Sequence, residues 1–104
     1  MRQTATTNGK RWSRANSQFH ETINQCSQNE TLIRILTDLR QQSLRSRIVS
    51  WRVPGHMLRR EAEHQRIVDA LAVKNGRLAE KAMADHVLAA GRELLDYTRN
   101  ASGP

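Results

Sequence analysis

Asn16 and His20 stand four residues apart in the stretch NSQFHETI, beside the apolar Phe19 and Ile23. On an α-helix, positions i and i+4 lie about 40° apart around the axis and about 6 Å apart along it, so the amide and the imidazole can aim at a common point. His64 shares a helical face with Ile67, Val68 and Leu71, and His86 follows Ala79, Ala82 and Met83 on a stripe continued by Ala89 and Ala90. Three of the four histidines therefore point toward a core. Buried imidazoles without partners each carry a desolvation penalty, which one divalent ion relieves for all three at once. The plainer alternative is a set of core histidines, each bonded to its own carbonyl or water. Asn16 is the weakest donor, because a neutral amide oxygen holds a cation less firmly than a carboxylate.

Cys26 is the single cysteine, which excludes an internal disulfide and a thiolate zinc site. A metal here is held by nitrogen and oxygen, and imidazole donors suit Zn²⁺ or Ni²⁺, with Mn²⁺ a third candidate. Ligation needs neutral imidazole, so binding is expected to fade below about pH 6.5.

The elements that must carry these residues read as helices, with no convincing strand. Residues 1–11, rich in Thr and lacking an apolar period, read as a loose arm. A helix is expected from about Arg11 to Cys26. Ser27 and Glu30 have the spacing of a capping box opening the next helix, whose Leu32, Ile35, Leu36 and Leu39 are spaced as one buried face and which continues toward Leu44 and Ile48. Pro54 and Gly55 break the chain. A third helix is expected from about Met57 to Lys74, and Asn75 is suited to cap a fourth, with Leu78, Ala79, Ala82 and Met83 on its inner side. About four helices joined by short turns predict an all-α antiparallel helical bundle, spanning 12–99, with a tail at 100–104.

The chain has 104 residues, a net charge of +7 and 38% hydrophobic residues, enough for one modest core. The charge is regional: residues 31–60 hold seven arginines against the single acid Asp38, whereas residues 61–104 hold six basic and seven acidic residues. No apolar run reaches the roughly 18 residues of a membrane span, and the first residues lack the apolar centre of a signal peptide, so a cytoplasmic protein is expected.

NSQFH, then SQN followed by TLI, then EAEHQRIVDAL, then Asn75, Ala79, Met83 and His86 in order resemble the C-terminal half of the FCD effector-binding domain of GntR-family transcriptional regulators of the FadR subfamily. The resemblance covers roughly residues 12–98. It implies a partial FCD-type bundle that dimerises and binds a small organic acid beside a divalent metal. It places His20, His64 and His86 at metal-ligand positions, and Asn16 where the family usually has Asp. It further implies that the winged helix-turn-helix and about three bundle helices are absent from this chain, so that DNA is a partner only through that missing domain. Apolar faces left open by an incomplete bundle favour self-association.

On this reading the protein senses a ligand and is not an enzyme: three histidines at an open metal could activate water, but Glu61 and Glu63, the acids nearest His64, are expected to face solvent. Arg45 or Arg47 is the candidate partner for an effector carboxylate. A different class is a basic helical module binding nucleic acid non-specifically, using Arg34, Arg40, Arg45, Arg47, Arg52, Arg59 and Arg60 for phosphates and Trp51 for stacking, although Trp51 is more simply a packing residue. A degenerate fragment without independent function is the remaining alternative.

Overall fold

The structure is a computed structural model that describes residues 9–101. Among these residues it is all-α: α1 (Gly9–Cys26), α2 (Glu30–Gln42), α3 (Leu44–Ser50), α4 (His56–Ala72) and α5 (Gly76–Ala101). None of these helices is long and apolar enough to cross a membrane. The chain forms two compact units, Met1–Val49 and Ser50–Pro104.

In the first unit α1 packs against α2. Gly9 and Lys10, expected in the loose arm, already belong to α1, and residues 1–8 of that arm lie outside the described residues. The turn between the helices corrects the expected capping box. Gln28 adopts a left-handed conformation at φ 54°, which makes Asn29 the N-cap, its side-chain oxygen accepting the Leu32 N–H at 3.0 Å. The Ser27 hydroxyl instead donates to the Asn24 carbonyl at 2.7 Å. The expected run from α2 to Ile48 is divided at Ser43, whose N–H bonds back to Leu39 O while its hydroxyl donates to Arg40 O.

The buried face expected on α2 is also corrected. Leu32, Ile35 and Leu39 are 40%, 51% and 54% exposed, and only Ile33, Leu36 and Arg40 are half-covered. Within its unit α2 packs against α1, and one packed helix covers only a narrow strip of its neighbour.

In the second unit α4 packs closely on α5. The buried stripe of α4 is Met57, Arg60, His64, Ile67 and Ala70, the three-and-four spacing of one helical face. Val68 and Leu71, expected beside His64 in the core, lie on the exposed flank. Gly55 precedes α4 at φ +75°, a conformation that costs an L-residue roughly 1–2 kcal/mol. The turn into α5 follows expectation: the Asn75 side chain accepts the Leu78 N–H at 3.0 Å. Ala79, Ala82, Met83, His86, Ala89 and Ala90 are half-buried or buried, and only Leu78 departs, at 48% exposed. Asn100 and Ala101, expected in the tail, continue α5.

Candidate metal centre

His64 and His86 are brought together by the register of α4 on α5. Both are buried, and their Nε2 atoms lie 3.2 Å apart, with ring centroids at 4.6 Å and planes inclined by 70°. Two imidazole nitrogens at this separation, each about 2.0–2.1 Å from one ion, subtend about 100° at it, between octahedral and tetrahedral values. The pair therefore fits two ligands of a single divalent ion.

The opposite nitrogen of His86 is fixed. Its Nδ1 lies 2.7 Å from Glu63 Oε1, so Nδ1–H donates to the carboxylate and the lone pair is left on Nε2, the tautomer a metal requires. Burial lowers the His86 pKa from its ordinary value of 6.5, and the charges of Arg60 and His56 add to this, against the hydrogen bond and charge of Glu63. The imidazole is thus neutral at pH 7 and able to ligate.

Glu63 is held in turn. Arg60 Nη2 donates to Glu63 Oε2 at 3.0 Å, and Arg60 Nε lies 3.0 Å from Oε1. Arg60 also faces Glu93 Oε2 at 3.8 Å. Glu93 receives Arg59 Nε at 2.6 Å, bonds Arg59 Nη2 as well, and pairs with His56 Nδ1 at 2.6 Å. Arg59 Nη2 reaches back to the Pro54 carbonyl at 2.9 Å, tying the Gly55 turn to the same network. Every acid here meets a base, which is what allows this much charge to be buried.

Glu63 corrects the expectation that it faces solvent: its side chain is 13% exposed. One turn after the buried Arg60, it falls on the inward side of α4. His56, outside the expected inward set, is also buried. Neither partnership was visible in the sequence, although the Arg60 and Glu63 spacing was a usable hint.

Asn16 and His20 share α1 as expected. Both are half-buried, and the His20 ring sits edge-on to Phe19 at 5.4 Å. Arg45 is exposed, whereas Arg47 is half-buried and donates from Nη2 to the Arg40 carbonyl at 2.6 Å. Trp51, half-buried in the turn before α4, is not presented as an open stacking surface. Of the seven arginines between residues 31 and 60, Arg40, Arg47, Arg59 and Arg60 bond within the protein, while Arg34, Arg45 and Arg52 are exposed.

Comparison with known families gives a match over residues 1–89 to the family model described as FCD domain. Neither the curated proteins nor the solved structures give a match.

Proposed function

This chain belongs to the FCD domain family, the effector-binding part of GntR-family transcriptional regulators, and from that premise we propose that it binds a divalent metal and a small carboxylate and so controls DNA binding by a domain other than this one. The observation that carries the metal reading is the His64–His86 pair, with facing Nε2 atoms and one far nitrogen locked by Glu63. By the resemblance to the family, this reading takes His20 as the third imidazole and Asn16, one helical turn before it on α1, as an amide-oxygen donor. An ion so held keeps a net positive charge, because no ligand in this set is anionic. It is suited to attract an organic acid, which completes its coordination, with Arg45 or Arg47 as the acid's further charge partner.

Zn²⁺ or Ni²⁺ is the preferred ion, since imidazole nitrogen favours both over Mn²⁺. Elemental analysis after purification with added metal is the test. Near-stoichiometric metal is expected in the parent chain and none in the His64→Ala, His86→Ala double variant; equal occupancy in both would sink the reading. Asn16→Asp is expected to tighten binding by adding a charge, and an unchanged affinity would place Asn16 outside the coordination shell.

Self-association is part of the same proposal, supported by the exposed Leu32, Ile35 and Leu39 of α2. Sedimentation at several concentrations tests it. Non-specific nucleic-acid binding is the weaker reading, because four of the seven clustered arginines, Arg40, Arg47, Arg59 and Arg60, are engaged in bonds among the described residues. Weak binding of DNA, similar for all sequences and falling steeply from about 50 to 200 mM salt, is expected of the chain alone.

A further inference from the structure

The ionic groups of the second unit form one continuous chain, which runs from the histidine pair to the Gly55 turn. His86 Nδ1 on α5 meets Glu63 on α4 at 2.7 Å, and both oxygens of Glu63 face Arg60, Oε2 accepting from Nη2 at 3.0 Å and Oε1 lying 3.0 Å from Nε. Arg60 Nη1 in turn faces Glu93 Oε2, back on α5, at 3.8 Å. From Glu93 the chain returns to α4 through His56 and Arg59, and Arg59 Nη2 closes it on the Pro54 carbonyl at 2.9 Å. Arg60 is its middle member and its most deeply buried ion, with a side chain 5% exposed against 13% for Glu63 and 12% for Glu93.

Such a chain transmits position because it crosses the α4–α5 contact three times, at Glu63–His86, Arg60–Glu93 and His56–Glu93. A shift of one helix along the other stretches every crossing together. Arg60 has no solvent to replace either carboxylate, so displacing Glu63 at one side or Glu93 at the other costs it buried charge pairing. The Gly55 turn has two arrangements: closed, with the Val53 N–H on Ser50 O at 3.1 Å and the His56 N–H on Val53 O at 3.0 Å, and locally opened, a form that turns reach below the cost of global unfolding. A link that holds in the closed form and fails in the open one couples the turn to the histidine pair, and such coupling acts equally in both directions.

We propose that Arg60 is a positioning residue that holds the His64–His86 metal site and the Gly55 turn in one register, so that a bound ion closes the turn and an open turn weakens the hold on the ion. The inference rests on the metal reading above and adds regulation to it. Arg60 is not a ligand; it acts through Glu63, whose carboxylate it orients toward His86 Nδ1–H. A guanidinium suits the task because its fork faces Glu63 and Glu93 at once, whereas an ammonium is a point donor. The turn at the other end of α4 supplies the contrast. His56 lies eight residues before His64 and Lys74 ten residues after it, and the Lys74 N–H is likewise bonded in a turn, to Leu71 O at 3.0 Å. No ion pair among the described residues joins that turn to the histidines.

Hydrogen exchange of the ¹⁵N-labelled full chain, with EDTA or with saturating Zn²⁺, tests it. Zn²⁺ is expected to slow the Val53 and His56 amides at least about fivefold more than the Lys74 amide, the low end of ordinary coupling between sites. Arg60→Gln should abolish that difference and weaken Zn²⁺ binding roughly tenfold, the low end for loss of a supporting partner. In EDTA it should also turn the Nδ1–H tautomer of His86 into a mixture visible in the ring ¹⁵N shifts, a change that lost packing alone would not produce. Glu93→Gln, which leaves Arg60 on Glu63, should keep the His86 tautomer and lose the extra slowing at His56; it is the deciding variant if Arg60→Gln does not fold. Equal slowing at His56 and Lys74, or a folded Arg60→Gln variant with the parent's tautomer and Zn²⁺ affinity, overturns the proposal while leaving metal binding intact. A parent chain that binds no Zn²⁺ overturns the metal reading itself, and the coupling with it.

Discussion

Both units contain two helices joined by a turn with an asparagine cap, Asn29 before α2 and Asn75 before α5, yet they differ in what they bury. On α4, six residues are buried, and His56, Arg60 and His64 among them are polar. On α2 none is buried, and the apolar Ile35 and Leu39 are more than half exposed. Hydrophobic pattern alone would have ranked them the other way, since α2 repeats Leu and Ile more regularly. The difference lies in pairing: the polar groups of α4 meet complementary groups at 2.6–3.0 Å, and burial of a charge is tolerable on that condition. The α4–α5 hairpin is therefore where preorganisation resides, and the His64–His86 pair inherits its geometry from that network.

A core truncation gives the largest expected contrast. Ile67, 1% exposed, is predicted to cost about 2–5 kcal/mol of stability when changed to Ala. Leu39→Ala in α2 should stay within about 0.5 kcal/mol. Denaturant unfolding of the two variants measures both, and equal losses would mean that the α2 face is covered in solution. Next comes Glu63→Gln, which keeps the shape but removes the charge that orients His86. Chelator competition should show metal affinity lowered roughly 10- to 100-fold, the usual cost of losing such a partner. Glu30→Gln, on the exposed start of α2, should leave it unchanged. A Glu63→Gln variant that binds metal as tightly as the parent would show that the histidine pair does not depend on the network.

Glycine substitutions sharpen the contrast inside the second unit. Gly55→Ala forces a left-handed residue at φ +75° and brings its Cβ within 2.5 Å of Arg59 Nη1, so a loss of about 1–2 kcal/mol is expected. Gly91→Ala, in open space on α5, should instead stabilise by about 0.5–1 kcal/mol. Thermal unfolding that moved both variants in the same direction would remove the Gly55 turn from the structural account.

The helical class, the stripe on α5 and the Asn75 cap were legible because each depends on residues within a few positions of one another. The inward placement of His64 and His86 was legible for the same reason. Their pairing with Glu63 and the His56–Glu93 bridge were not. Those contacts join residues 23 and 37 positions apart, and which carboxylate meets which imidazole is decided by how α4 slides along α5. The capping error at Ser27 has a different origin: the pattern was present, but the left-handed Gln28 moved the cap by two residues. The exposed flank of α2 shows the limit of periodicity, which identifies an apolar face without saying whether a neighbour covers it.

The smallest expected effect is a pH dependence confined to the ionic hairpin. Glu93 has its pKa lowered from 4.5; burial alone would raise it, but the hydrogen bonds from His56 and Arg59, with the charges of Arg60 and His56, outweigh burial. A carboxyl group with a depressed folded-state pKa binds fewer protons folded than unfolded. Its contribution to stability is therefore fully present above the unfolded value and disappears as pH falls through the folded one. Between about pH 7 and 5.5 Glu93 should add no slope, and below about pH 4.5 stability should fall as the ion pairs with Arg59 and Arg60 are lost. Glu93→Gln should be less stable than the parent near pH 6 and show a shallower decline in acid, so the two curves converge as pH drops. Urea midpoints followed from about pH 6 to 3 decide it: a variant that loses stability in acid as steeply as the parent would show that this carboxylate does not hold the Gly55 turn and the start of α4 against α5.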